Sequence, residues 1–353
     1  MKLFERQRRV ARRRHRPWLR VATSPTPLDA EQICQSVEAV LTAFLADKRT
    51  RPLLCVLGWY AGGGTVPARS APVLRVAASL EMFHAFALIH DDLMDGSDRR
   101  RGRPTVHRAL ATLHRSRRGS AAEWLGISAA ILVGDLALAW SDELPTSAAL
   151  HRKQCATVLP IVHTMRTEIV YGQSLDMTTA GQPTECVAAA SQIARYKTAK
   201  YTVERPLQVG AALAGGSERL LRNLSEFALP LGEAFQLRDD LLGAFGDPER
   251  TGKPVLDEVR QGKHTVLIAC ALQRAAPGQR RLLRELLGDP SLGDDQAARI
   301  RSVLEECGAR QAVEAMIRDR HQQALDRLEQ ARLTPAVAVA LEEVARAVQE
   351  RSA

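Results

Sequence analysis

The sequence predicts an all-α protein. Of its 353 residues, 45% are hydrophobic but only 4% are aromatic, and the chain is rich in Ala, Leu, Arg and Glu, which together favour helix over sheet. Several apolar stretches repeat with the period of about 3.6 residues that places an apolar stripe along a helix. The chain is also long enough to bury a sizeable core. We therefore expect one large α-helical domain.

Residues 1–20 carry most of the positive charge. The whole chain has a net charge of +9, and this segment contains nine Lys or Arg residues against one Glu, a net +8. Such a segment is typically disordered and solvated, and it lacks the apolar stretch of a signal peptide. We predict a basic tail at residues 1–26 and a folded domain at residues 27–353. Contact with an anionic membrane is an alternative use of the tail, and nucleic-acid binding is not expected.

The cysteines and the apolar segments indicate a cytoplasmic protein. The six cysteines are scattered without a Cys-x-x-Cys spacing, which indicates neither a zinc site nor a disulfide framework. The longest apolar candidate, residues 129–140, is interrupted by Asp135, so we expect no membrane-spanning segment. A reducing compartment suits this pattern.

Capping residues predict where the helices begin. Asp29 is a predicted N-cap near the start of the folded part. Glycines 62–64 break the chain before a long apolar helix, and long helices are predicted again between residues 121 and 177 and from residue 279 onward. Thr334 followed by Pro335 predicts the start of the last helix.

The long apolar helix ends in three carboxylates. Asp91 and Asp95 are four residues apart and share one helix face, and Asp92 lies beside them. At an effective dielectric constant near 20, two such charges repel by about 2–3 kcal/mol, and a hard divalent cation such as Mg²⁺ removes this cost. Arg100 and Arg101 follow, and guanidinium groups bind phosphate through paired hydrogen bonds. A solvated acidic helix end with a basic loop after it is the alternative interpretation.

A second apolar helix, about 150 residues downstream, also ends in paired aspartates, Asp239 and Asp240. Gly243 stands where a third acid would repeat the first pattern, and the next acid, Asp247, precedes a proline at which the helix should end. Two acidic helix ends suggest one site approached from two sides.

From about Lys48 to the C-terminus, the chain resembles the trans-isoprenyl diphosphate synthases (polyprenyl synthetases), and geranylgeranyl diphosphate synthases in particular. The resemblance implies a single large helical bundle around a central cavity, the isoprenoid synthase fold. It implies a prenyltransferase that joins isopentenyl diphosphate head to tail to allylic diphosphates. It further implies a homodimer and Mg²⁺ as the cofactor, with three ions per site.

The resemblance also assigns roles to the residues that match the family's motifs. The implied metal ligands are Asp91, Asp92, Asp95 and Asp239. The implied catalytic set adds Asp240, Arg100, Lys197 and Thr198. The groups that bind the allylic diphosphate or fill further phosphate-binding places are Arg100, Lys197, Thr198, Gln236, Lys253 and Lys263. Isopentenyl diphosphate is implied to bind Lys48, Arg51, His84 and Arg101.

Some of these assignments leave alternatives open. Asp47 replaces the glycine that the family has before Lys48, and Lys200 competes with Lys197 for the same role. Gln173 and Asp176 lie three residues apart on one helix face, which suits either a polar cluster near the metals or ordinary packing.

The residues upstream of the first aspartates predict the product length. Phe86 lies five residues before Asp91, with Ala87 beside it and Phe83 about one turn earlier. In the resembling family, an aromatic residue at this place goes with short products, so we expect geranylgeranyl diphosphate, with farnesyl diphosphate as the alternative. A terpene cyclase would not need the residues that hold isopentenyl diphosphate. A catalytically silent synthase subunit would be expected to have lost acids from its aspartate motifs. Gly243 is the only residue that favours this alternative.

Overall fold

A computed structural model describes residues 50–65, 72–100, 102–114, 120–247, 257–289 and 291–350. In the described residues the strands are limited to the two-residue pair β1 (Arg99–Arg100) and β2 (Arg103–Pro104). The α-helices, in chain order, are α1 (Thr50–Ala61), α2 (Pro72–Met94), α3 (Val106–Leu113), α4 (Ala121–Thr146), α5 (Arg152–Thr179), α6 (Val187–Ile193), α7 (Arg205–Leu213), α8 (Glu218–Phe245), α9 (Asp257–Arg260), α10 (Val266–Arg274), α11 (Pro277–Leu286), α12 (Asp294–Glu306), α13 (Ala309–Gln330) and α14 (Pro335–Gln349). The prediction of an all-α protein is confirmed.

Several predicted features lie outside the described residues. They are the basic tail, the N-cap at Asp29, and the phosphate-binding residues Lys48, Arg101 and Lys253. The boundary at residue 27 therefore stays a prediction.

The described chain forms two compact units. The first contains residues 72–98, 104–114 and 120–149. The second contains residues 50–65, 99–100, 102–103, 150–247, 257–289 and 291–350.

The first unit is built on the packing of α2 against α4, with α3 packed on α4. Helix α2 is apolar around most of its circumference, which is typical of a helix that is covered on several sides. Its Met82 and Ile89 are buried in one cluster with Val133 and Ala137 of α4. This packing fixes the end of α2, where the first aspartates lie.

Helices α2 and α4 are long and apolar enough, by length and composition alone, to cross a membrane. By this measure of length and composition, the expectation that no apolar run reaches membrane-spanning length does not hold, because an 18-residue window may contain up to two charged residues. In α2, 61% of the apolar window is buried inside the protein, which is the behaviour of a core helix; the share in α4 is 28%. Two such helices are weak evidence for a membrane protein.

The second unit is organised around α8, which packs against α13 and α10. Leu224, Phe227 and Leu231 on α8 have no exposed surface. Full burial of each such side chain contributes about 1.5–3 kcal/mol relative to exposure. The core of this unit therefore holds α8 in place along its length.

Capping fixes where two helices of the second unit begin. Ser217 Oγ accepts a hydrogen bond from the backbone N–H of Leu220 at 3.2 Å, and Thr265 Oγ1 accepts one from Ile268 at 3.3 Å. Each bond satisfies an N–H group that the first helical turn leaves free. Helix α14 begins at Pro335, directly after Thr334, as predicted.

Residues Ala194–Glu204 form a π-helix between α6 and α7. It packs against α5 and against α8. A Cβ atom on Gly172 of α5 would lie 2.3 Å from the backbone nitrogen of Lys197, and one on Gly232 of α8 would lie 2.6 Å from Cα of Ala199. Because both positions are glycine, the two helices approach the π-helix backbone closely. The π-helix is rare in proteins. Where it occurs, it is often at a functional site.

Candidate active site

The first aspartate motif lies at the C-terminal end of α2. Asp92 is buried, and Asp91 and Asp95 are half-buried. The backbone N–H of Asp95 donates to the carbonyl of Asp91, and that of Ser97 donates to the carbonyl of Asp92, both at 2.9 Å. A helix C-terminus carries a partial negative charge, so three carboxylates there are electrostatically unfavourable without a cation. The donor chemistry of this helix end therefore fits a divalent metal ion.

Upstream of these aspartates, aromatic side chains follow one another along α2. The rings of Phe83 and Phe86 have centroids 5.3 Å apart, and those of Phe86 and His90 are 4.7 Å apart. Phe83 is buried, while Phe86 is partly exposed and packs against the cluster that α2 shares with α4. His84 is also buried, and seven residues of helix place it about 10 Å from Asp91 along the helix axis.

In the second unit, Arg51 on α1 is held against the π-helix. Its Nη2 donates to Thr202 Oγ1 at 2.7 Å, and its guanidinium group lies 4.2 Å from the centroid of the Tyr201 ring. Its Nε atom is buried and has no hydrogen-bond partner among the described residues. A buried donor of this kind suits an anionic ligand, because the bond to a phosphate oxygen would satisfy it. Arg100 is half-buried in β1.

Asp176 on α5 joins two of the predicted lysines. Its Oδ2 atom lies 2.5 Å from Lys197 Nζ and 3.5 Å from Lys263 Nζ. Asp176 is buried, so the two lysines keep fixed positions beside one carboxylate. The sequence left open whether Asp176 belongs to a polar cluster or serves ordinary packing. In the structure, Asp176 is part of a polar cluster.

A second chain of hydrogen bonds runs from the π-helix to the paired aspartates of α8. Thr198 Oγ1 donates to Gln236 Oε1 at 2.6 Å, and Gln236 Nε2 donates to Asp240 Oδ1 at 2.7 Å. Asp239 is half-buried beside Asp240. We use the name α8 network for the residues that these two groups of contacts join: Asp176, Lys197, Thr198, Gln236, Asp240 and Lys263.

Lys200, the competing candidate for the role of Lys197, faces elsewhere. Its Nζ lies 2.7 Å from Glu168 and 3.4 Å from Glu204. Both carboxylates are largely buried and hold Lys200 in an ion-pair cluster outside the α8 network. Of the two lysines, Lys197 is therefore the one beside Asp176.

The carboxylates near the end of α8 act on one another. Burial raises the pKa of Asp240 well above its ordinary value, and the negative charges of Glu258, Asp239 and Asp176 raise it further, against the opposing hydrogen bond from Gln236. Carboxylate oxygens are hard donors, and a divalent cation bound between such carboxylates would neutralise their mutual repulsion. Among the described residues, no group of three or more His, Cys, Asp or Glu side chains is arranged so that it could hold a metal ion. The fit to a divalent cation therefore rests on the donor chemistry.

Sequence reasoning did not single out Glu258 or Glu168. Glu258 follows Asp257 directly, and nothing in the spacing distinguishes the two acids. Glu168 precedes Asp176 by eight residues on α5, so the helical period places both on related faces. That period was the one available signal for Glu168.

Comparison with known proteins gives a consistent result. A family model described as polyprenyl synthetase matches residues 34–306. The chain is 33% identical over 275 residues to the geranylfarnesyl diphosphate synthase of Aeropyrum pernix. This alignment covers 77% of this chain and 79% of that protein. It is 30% identical over 309 residues to the (2E,6E)-farnesyl diphosphate synthase of Mycobacterium tuberculosis, covering 87% and 80%. A solved geranylgeranyl pyrophosphate synthase from Corynebacterium glutamicum, complexed with isoprenyl diphosphate and magnesium, is 36% identical, with a TM-score of 0.87 and 98% of each chain covered.

An all-helical fold with aspartates at two helix ends, and with two lysines fixed beside a further aspartate, Asp176, is that of an isoprenoid synthase. Because the family model matches most of its length, the chain belongs to the polyprenyl synthetase family. It is a short-chain trans-prenyltransferase. The family uses divalent metal ions.

Proposed function

We propose that this prenyltransferase condenses isopentenyl diphosphate head to tail with allylic diphosphates and releases geranylgeranyl diphosphate. The observation that carries the proposal is the α8 network. In it, residues from four separate segments form two groups of polar contacts that meet at the neighbouring residues Lys197 and Thr198. All of them except Asp176 were expected from the family resemblance to serve a diphosphate or its metal ions. A structural role alone would not require two lysines on one buried carboxylate next to paired aspartates.

The cationic side chains have the task of stabilising the diphosphate that leaves the allylic carbon. Lys197 and Lys263 both lie beside Asp176, and each ammonium group has three N–H donors. We assign these donors, with Arg100 and Lys253, to the allylic diphosphate. Magnesium ions, expected to number three and to be held by Asp91, Asp92, Asp95 and Asp239, would neutralise charge on the same diphosphate.

The second substrate keeps its diphosphate throughout. We assign its binding to Lys48, Arg51, His84 and Arg101, and the buried Nε of Arg51 supports this assignment. When the allylic carbon–oxygen bond breaks, its electron pair leaves with the diphosphate. The double bond of isopentenyl diphosphate then forms the new carbon–carbon bond, and the departing diphosphate accepts the proton that is lost.

Product length is assigned to Phe86, with Ala87 and Phe83 near it. The Phe83–Phe86–His90 ring contacts make this part of α2 rigid and bulky. The relatives include synthases of farnesyl, geranylgeranyl and geranylfarnesyl diphosphates. Farnesyl diphosphate is therefore the second candidate product.

We further propose a cytoplasmic location, as the scattered cysteines indicate, and a homodimer, as expected from the family. The basic tail at residues 1–26 is assigned at most a contact with an anionic membrane surface.

The test is incubation of the purified protein with Mg²⁺, radiolabelled isopentenyl diphosphate and dimethylallyl, geranyl or farnesyl diphosphate in turn. Phosphatase treatment and chromatography then identify the alcohols. Geranylgeraniol is the expected product. Farnesol or a longer alcohol alone would refute the product assignment, a hydrocarbon would indicate a cyclase, and no incorporation with any primer would indicate a silent subunit.

A pair of lysine variants tests the role of the α8 network in the same assay. Lys197→Met removes the ammonium group whose hydrogen bonds we assign to the leaving diphosphate in the transition state. The value of kcat should therefore fall by about 10²–10³-fold. Lys153→Met, on the exposed start of α5, is the matched control and should retain activity. Equal activity of the two variants would contradict the proposed role of Lys197.

A further inference from the structure

The second aspartate motif lacks its third acid, because position 243 is glycine. Gly243 lies on α8, three residues after Asp240 and one turn from Asp239, so its face of the helix is the face of the motif. A Cβ atom built on Gly243 would lie 3.4 Å from the carboxyl carbon of Glu258 and 3.4 and 3.5 Å from its two oxygens. The space that the side chain of a third aspartate would enter is thus already bordered by a carboxylate from another segment.

The segment that carries Glu258 is firmly anchored. The next residue, Val259, is buried in the core of the second unit. Its carbonyl accepts hydrogen bonds from the N–H groups of Gly262 at 3.0 Å and Gly288 at 2.8 Å, and the carbonyl of Glu258 accepts one from Lys263 at 2.9 Å. The position of Glu258 against Gly243 therefore follows from the packing of α9.

The neighbouring acid, Asp257, has a different environment. Its Oδ2 accepts a hydrogen bond from Gln261 at 3.1 Å on the same short segment. Glu258, in contrast, is close enough to Asp240 for its charge to act on that carboxylate. Of the two adjacent acids of α9, Glu258 is therefore the one whose carboxylate borders Gly243 of α8.

We propose that Glu258 supplies the carboxylate that Gly243 lacks, and so completes the acid set of the second motif for a divalent cation bound with diphosphate. This inference rests on the proposed function. It explains how the second motif remains competent although its third position is glycine, and it makes Glu258 a further ligand-orienting residue whose charge reaches the ion directly or through bound water.

The test measures binding of Mg²⁺ and inorganic diphosphate by isothermal titration calorimetry, without any turnover. Glu258→Gln keeps the size of the side chain and removes its charge. It should weaken the apparent affinity for Mg²⁺ in the presence of diphosphate by at least about tenfold, the usual loss when a supporting carboxylate of a metal site is removed. Asp257→Asn is the matched control and should change that affinity by less than about twofold.

A relocation variant makes the test specific to the missing position. In Glu258→Ala the space beside residue 243 is open, and adding Gly243→Asp restores one carboxylate from α8 itself. The double variant should recover most of the affinity that Glu258→Ala loses, whereas a purely structural role of Glu258 would not allow recovery from position 243. Circular dichroism with thermal unfolding confirms that each variant is folded.

The outcomes separate the two proposals. If the unaltered protein binds Mg²⁺–diphosphate and transfers prenyl groups but Glu258→Gln behaves like Asp257→Asn, this inference is wrong and the proposed function stands. If the unaltered protein does neither, the proposed function fails and the role of Glu258 fails with it.

Discussion

An ion-pair cluster formed by Glu168, Lys200, Glu204 and Arg205 holds the π-helix and the start of α7 to α5. Glu168 is its centre. One carboxylate oxygen accepts from Lys200 Nζ at 2.7 Å and from Arg205 Nη2 at 2.6 Å, and the other accepts from Arg205 Nε at 2.7 Å. The side chains of Glu168, Lys200 and Arg205 are 12–14% exposed. We expect Glu168→Gln to be among the most destabilising single substitutions of a polar residue in this protein.

The magnitude follows from these contacts. Gln has one acceptor oxygen and no charge, so one or two of the three bonds are lost and the others are no longer charge-assisted by a carboxylate, at about 1.5–3 kcal/mol for each bond lost. Glu204 offsets part of the loss, because it lies 3.4 Å from Lys200 and 3.8 Å from Arg205. The expected decrease in the free energy of unfolding is about 3 kcal/mol, at the lower end of the range for breaking a buried ion pair.

Urea unfolding followed by circular dichroism measures this decrease at neutral pH. The matched control is Glu218→Gln, because Glu218 lies 3.5 Å from Arg222 in a pair whose side chains are 90% and 68% exposed. An exposed pair contributes little, so the control should lose less than about 0.5 kcal/mol. Equal losses in the two variants would refute the reasoning.

The pH dependence gives a second measurement of the same cluster. Burial alone would raise the pKa of Glu168, but the hydrogen bonds and charges of Arg205 and Lys200 outweigh it and hold the pKa below its ordinary value of 4.5. The stabilisation is therefore complete above about pH 4.5 and is lost as the pH falls through the lower pKa of the folded protein. Glu168→Gln should lose this acid-side dependence, whereas Glu218→Gln should keep it.

Two further outcomes are expected. Phe86→Ala should shift the products toward longer alcohols, because the ring that packs between Phe83 and His90 is removed, and an unchanged product distribution would show that length is limited elsewhere. His264 is buried, and its Nε2 lies 3.0 Å from the carbonyl oxygen of Thr184; burial lowers its pKa below the ordinary 6.5, against the raising effect of that bond. The unfolded chain therefore takes up the proton first, so stability is lost as the pH falls below about 6.5. His264→Gln, which keeps a donor for Thr184, should flatten the loss of stability that begins as the pH falls below about 6.5 in urea titrations, and an unchanged slope would contradict it.

The sequence was sufficient for the helical class, the family and the residues at two helix ends. These depend on local features: the apolar period along a helix, the N-cap signal before Pro335, and aspartates at recognisable spacings. The expectation that no apolar run reaches membrane-spanning length rested on Asp135 of α4, and by length and composition alone it does not hold for α2 and α4.

The tertiary structure decided which side chains meet. Asp176, Lys197 and Lys263 lie on three segments of the chain, and their contacts depend on how α5, the π-helix and the segment after α9 pack. The choice of Lys197 over Lys200 depends on the π-helix, whose wider turns alter the directions that ordinary helical spacing would give.

Gly243 illustrates the same division. The sequence alone shows that an acid is missing from the second motif, and nothing near Gly243 along α8 replaces it. Glu258 reaches that position because the burial of Val259 and the backbone hydrogen bonds of α9 bring a separate segment back to α8. Local pattern thus determined which groups the protein has for its chemistry, and long-range packing determined which of them act together, because side-chain contacts between distant segments have no signature in a single sequence.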